Sequence, residues 1–131
     1  MMRLLPAAVW LAMIHFVSSR EASELPSIRI DDRIAHFVEY FILGILLMLA
    51  LTAVRGLESR TFVKAGAAAL IALALAMLDE WHQSFVPGRD SSWKDVVFDL
   101  LGAATASLLI AWLVERRYGG RREDLASEAG S

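Results

Sequence analysis

The sequence predicts an all-α fold: a small polytopic membrane helix bundle of four transmembrane helices with an outward-facing polar cluster. Three observations predict it. Of the 131 residues, 56% are apolar even before the eight glycines are counted, whereas soluble domains reach roughly 45–50% with glycine included. The charged residues fall between apolar runs that approach or reach the roughly 17–25 helical residues needed to cross hydrocarbon. None of these runs alternates strictly as a lipid-facing strand does, and Gly and Pro sit mostly at the junctions.

The first predicted helix, about residues 4–19, rests on the short apolar run Leu4 to Val17. Met1, Met2 and Arg3 ahead of it, with Val17, Ser18 and Ser19 behind, also fit a cleavable signal peptide. The second, about 34–54, is full length and interrupted only by His36 and Glu39. The third, about 62–86, is apolar from Phe62 to Leu78 apart from Lys64; continued through Asp79, Glu80, His82 and Gln83, it spans and carries polar groups at one end. The fourth, about 95–115, holds one ionisable residue, Asp99, between Val96 and Val114. Residues 1–118 then form one domain, because two would leave neither half enough chain for a core. Residues 119–131 are polar, charged and rich in small side chains, and read as a disordered tail. A soluble bundle is the competing fold, but Ile42 to Ala50 and Ala65 to Leu78 are apolar on every side apart from glycine.

Thirteen basic and fifteen acidic residues give a net charge of −2, so no global field recruits nucleic acid. The absence of cysteine excludes disulfides, thiolate metal sites and a thiol nucleophile. With four spans, Arg3, Arg55, Arg60, Lys64, Arg116, Arg117, Arg121 and Arg122 share one side, and Arg20, Arg29, Arg33, Arg89 and Lys94 the other. Eight against five predicts that both termini lie in the cytoplasm. Trp81 and Trp93 at the outer end, and Trp112 and Tyr118 at the inner, suit interfacial aromatic belts.

Under this topology the outer end collects nearly every unusual polar group. The second span enters there with Asp32, His36, Glu39 and Tyr40; the third leaves with Asp79, Glu80, His82 and Gln83; the fourth enters with Asp95 and Asp99. The spacings are helical, for Asp32, His36 and Tyr40 are four apart, as are Asp79 and Gln83, and Asp95 and Asp99. Such stripes should face inward, because a charge in hydrocarbon costs about 2.5–3.5 kcal/mol on insertion scales. Arg89, in the Pro87-Gly88-Arg89 loop, is placed to partner them, and His15 reads as an isolated interfacial histidine.

These residues carry a resemblance. Asp32, Arg33, His36, Tyr40, Leu43 and Gly44, followed by Asp79, Glu80, Gln83, Phe85, Pro87, Gly88, Arg89, Asp95 and Gly102, resemble the two signature blocks of the VanZ-like family over roughly Asp32 to Val114. The resemblance implies a small multi-spanning bacterial membrane protein of the cell envelope, some of whose relatives lower susceptibility to glycopeptide antibiotics. Asp99 stands where that family usually has Asn, and Ala106 where it often has a second Gly. Gly102 and Ala106 still form a small-xxx-small pair. A carboxylate at 99 must be protonated or paired, with Arg89 or a histidine.

Three chemistries compete for the polar end. Asp79, Gln83, Arg89, Asp95 and Asp99 can simply tie helix ends to the loop. His36 with Glu39, and Asp79 with His82, place an imidazole and a carboxylate on each of two helices, a metal-binding pattern, but two such pairs are weak grounds and no metal or other cofactor is expected. A membrane-embedded hydrolase or transferase acting on a lipid head group, metal-dependent or not, is the alternative function, with His36 as base, Asp79 or Glu80 as its partner and Arg89 on phosphate; Ser84, Ser91 and Ser92 form no nucleophile motif. The preferred reading is non-catalytic: Asp32, His36, Glu39, Tyr40, Asp79, Glu80, His82, Gln83, Arg89, Asp95 and Asp99 line an outward polar cavity. Its partners would be membrane lipids, a lipid-linked cell-wall precursor or an amphiphilic drug. Self-association into a homo-oligomer is compatible with the sequence.

Overall fold

The computed structural model describes residues 3–21, 23, 31–52 and 60–129, with side chains as far as Arg117. It contains four helices and, among the described residues, no strand: α1 (Leu5–Ser18), α2 (Asp32–Thr52), α3 (Thr61–Gln83) and α4 (Trp93–Ala129). Three are long and apolar enough to cross a membrane: Asp32–Thr52, Thr61–Gln83 and, within α4, Trp93–Arg117. This is the architecture of a multi-pass membrane protein. α1 has only 14 residues, about 21 Å at 1.5 Å per residue, short of a hydrocarbon core about 30 Å thick.

Local chemistry sets the helix ends. Asp31 caps α2, its Oδ1 accepting the Arg33 amide at 3.1 Å, and Ser92 caps α4, its Oγ accepting the Lys94 amide at 3.3 Å. α3 stops at Gln83, three residues before the expected Val86, because Pro87 disfavours helical backbone in the residue before it. The chain then tightens through Phe85 N–H to His82 O and Val86 N–H to Gln83 O. Val86 to Arg89 is a type II turn, closed by Arg89 N–H to Val86 O at 3.2 Å, with Pro87 second and Gly88 third at φ 75°. α4 continues as helical backbone through Ala129, past Gly119, where a disordered tail was expected. Arg, Glu, Leu and Ala in that stretch are strong helix formers. Residues 53 and 54 of the expected second helix, and Arg29 and Arg55 from the orientation count, lie outside the described residues, as do the side chains of Tyr118, Arg121 and Arg122.

Packing is inverted relative to a water-soluble bundle. α3 buries Ala65, Ala68, Ala72 and Ala76 on one stripe, and α4 buries Ala103, Ala106, Ser107 and Ala111. Large side chains such as Leu49, Leu70, Met77, Leu108 and Leu113 point outward and exposed. Small residues inside let backbones approach, which is how helices associate where lipid removes the hydrophobic drive between them. The closest approach is between α2 and α4, which run parallel. A Cβ on Gly44 would lie 2.7 Å from the Ala103 carbonyl oxygen, and one on Gly102 would collide with the Phe37 carbonyl oxygen. α1 packs most lightly, on α2 and α3.

Candidate functional site

α1 and α3 end where α2 and α4 begin, so the four termini meet at one end of the bundle. The buried polar groups there sit on inward helix faces. The alanine stripe of α3 continues without a break into Asp79, Glu80 and Gln83, all buried. On α2, His36 and Tyr40 are buried one turn apart, and on α4 Asp95 and Asp99 follow the same spacing.

Three sets of bonds join these elements. Between α2 and α4, His36 Nδ1 is hydrogen-bonded to Asp99 Oδ1 at 3.0 Å; this histidine, rather than Arg89, is the partner that Asp99 requires. Between α1 and α3, Ser18 Oγ donates to Asp79 Oδ2 at 2.5 Å, and Gln83 Nε2 donates to Ser18 Oγ at 2.8 Å and to Asp79 Oδ2 at 3.1 Å. Arg89 then donates to Gln83 Oε1 at 3.3 Å, which hangs the type II turn on this network. Between α3 and the segment before α4, the Ser92 amide donates to Glu80 Oε2 at 2.7 Å, and Ser91 Oγ donates to the Glu80 carbonyl at 3.1 Å.

Other anticipated residues are placed differently. Asp32 is exposed in the first turn of α2. Glu39 is half-buried, and its main-chain carbonyl accepts the Trp10 indole N–H at 2.9 Å. Trp81 and Trp93 are 65% and 73% exposed at this end, accessible to an interface. His15 is not isolated: its Nδ1 lies 3.7 Å from Asp79 Oδ1, and its ring centroid is 4.4 Å from that of His82. Ser18 and Ser19 were not expected at the cluster. Ser19 Oγ is hydrogen-bonded to His82 Nε2 at 3.1 Å. Serine near a predicted helix end is too common to signal a contact over more than sixty residues of chain.

Two spaces result. The first is an open groove of about 290 Å³ between α1 and α3, walled by Leu11, Leu75, Leu78 and Trp81, with His15, Asp79 and His82 supplying its polar groups. The second is a convergence of buried donors from three helices, in which one ligand atom each of His36, Glu80 and Asp95 lies within 4.8 Å of the others. The pairs anticipated from spacing, His36 with Glu39 and Asp79 with His82, are not the ones that converge, because i, i+3 neighbours share a helix while these three donors meet across helices. Four buried polar atoms at this end, Tyr40 Oη, Glu80 Oε1, Arg89 Nε and Asp99 Oδ2, have no hydrogen-bond partner among the described residues.

The family model VanZ/LLP1 matches residues 3–114. The chain belongs to the VanZ/LLP1 family. The match takes in α1 as well as the motif-bearing stretch from Asp32 onward, so the serine that holds Asp79 lies inside the VanZ/LLP1 unit. Neither a curated protein nor a solved structure matches the chain. The motif residues divide by task. Gly44 and Gly102 set the α2–α4 approach, Pro87 and Gly88 make the turn, and Asp79, Glu80, Gln83, Arg89 and Asp95 gather at the end it closes.

Proposed function

We propose that this VanZ/LLP1 protein is a non-catalytic binding protein of the bacterial inner membrane, with both termini cytoplasmic and the polar end facing outward. Its ligand is an amphiphile of the cell envelope: a membrane lipid, a lipid-linked cell-wall precursor or a glycopeptide-type drug with a lipid tail. The observation that carries this reading is the groove between α1 and α3. Leu11, Leu75 and Leu78 offer a hydrocarbon wall, and His15, Asp79 and His82 offer hydrogen bonds and charge to a head group. Trp81 is both a wall of the groove and an exposed interfacial aromatic.

The serines weighed as nucleophiles support binding over hydrolysis, since each is engaged with backbone. Ser84 Oγ donates to the Trp81 carbonyl at 2.6 Å, Ser91 Oγ to that of Glu80, and Ser92 Oγ caps α4. The test is native mass spectrometry of the purified chain with a polyprenyl-diphosphate-linked precursor, a phospholipid and a lipoglycopeptide offered in turn. One of them should remain bound and raise the melting temperature, and Leu75→Trp, which fills the groove, should reduce retention about tenfold or more, as loss of about 1.4 kcal/mol implies. Equal retention by wild type and Leu75→Trp would place any ligand elsewhere.

A further inference from the structure

We propose that His36, Glu80 and Asp95 form a binding site for a divalent transition-metal cation inside the polar end of the bundle, separate from the α1–α3 groove. The three come from α2, α3 and α4, far apart in sequence, yet a ligand atom of each lies within 4.8 Å of the other two and all three residues are more than nine-tenths buried. Two buried carboxylates brought this close repel each other unless one takes up a proton or a positive charge lies beside them, and a bound cation supplies that charge.

Two further observations point to a ligand. Glu80 is oriented through one oxygen only: Oε2 accepts the Ser92 amide, while Oε1 is buried with no hydrogen-bond partner among the described residues. His36 is oriented as metal-bound imidazoles are: its Nδ1 is hydrogen-bonded to Asp99 Oδ1 at 3.0 Å, and the tautomer that carries its proton on Nδ1 leaves Nε2 to coordinate. Asp99 is therefore a positioning residue.

One imidazole and two carboxylates, without thiolate, suit zinc, manganese or ferrous iron, whereas copper(I) favours sulfur and calcium or magnesium favours oxygen alone. Tetrahedral ligand atoms on bonds of about 2.0–2.1 Å stand roughly 3.4 Å apart, so donors that lie within 4.8 Å of one another need close by at most about 1.4 Å. Three protein ligands leave a coordination position for water or an oxygen of a bound molecule.

The test uses the full chain in detergent, carrying an affinity tag without histidine. After equilibration with Zn²⁺ or Mn²⁺ and desalting, wild type should retain about one equivalent by elemental mass spectrometry, and His36→Ala, Glu80→Gln and Asp95→Asn about a tenth of that or less. Asp99→Ala should weaken affinity by roughly 10–100-fold, and Asp99→Asn, which keeps an acceptor oxygen for Nδ1–H, should restore it. If the ligand variants fail to accumulate, Co²⁺ added to wild type decides: visible d–d bands of a nitrogen and oxygen site, displaced by Zn²⁺, are expected. No retained metal and no Co²⁺ bands in wild type would overturn the proposal, as would metal that persists in His36→Ala and disappears in His82→Ala.

Discussion

The α2–α4 and α1–α3 contacts use opposite means at the same end of one molecule. α2 and α4 meet backbone to backbone through Gly44 and Gly102, and the hydrogen-bonded pair of His36 and Asp99 is enclosed beside that seam. α1 and α3 touch through a few side chains, are latched by Ser18, Asp79 and Gln83, and leave a groove between them. The difference teaches a division of labour in which the glycine seam fixes geometry and the latched pair keeps room for a guest. Bistable or yielding contacts are where ligands couple to shape, and only the second pair offers one.

The largest break should come at the seam. Gly102→Ala drives a methyl group into the Phe37 carbonyl and forces two packed backbones apart, a cost at or above the upper end of the roughly 1–3 kcal/mol typical of overpacked cores. Loss of accumulated protein, or a steep fall in thermal midpoint in detergent, is the expected readout. A milder and more local effect is expected at the latch. Ser18→Ala leaves Asp79 and Gln83 short of a partner, worth about 1–3 kcal/mol, and hydrogen exchange in α1 should quicken while α2 and α4 stay protected. Smallest of all, Gly66→Ala in α3 meets nothing within 4 Å. Its higher helix propensity should add up to about 1 kcal/mol of stability, leaving the thermal midpoint unchanged or raised. If Gly66→Ala were as damaging as Gly102→Ala, glycine in these helices would matter for reasons other than close approach.

Most of the fold was legible because its signals are local. Run length gave the three spanning helices to within about three residues at each end near the site, and spacing gave the inward facing of Asp79 and Gln83 on α3, whereas the alanine stripe that they continue lay hidden in a run apolar on every side. Pro87 and Gly88 announced a turn, although Pro87 also ended α3 sooner than the run of helix-compatible residues implied. The polar residues could be assigned to one end from topology alone. Their pairing could not. That His36 meets Asp99, that Glu80 turns to Ser92 rather than to a cation of the loop, and that His15 reaches Asp79 depend on helix rotation and crossing, which spacing within one helix does not encode. Serine was the chief blind spot, since Ser18 carries no signal apart from the carboxylate it meets.

The unbroken stripe on α3 has a mechanical corollary. Because Ala65 through Ala76 and the side chains of Asp79, Glu80 and Gln83 occupy the same face, spinning this helix about its axis would both lift its small residues from their neighbours and present ionisable groups to acyl chains, at about 2.5–3.5 kcal/mol for each charge. The angular setting of α3 is thereby locked by two independent penalties, and any movement that admits a guest must proceed by tilting or sliding.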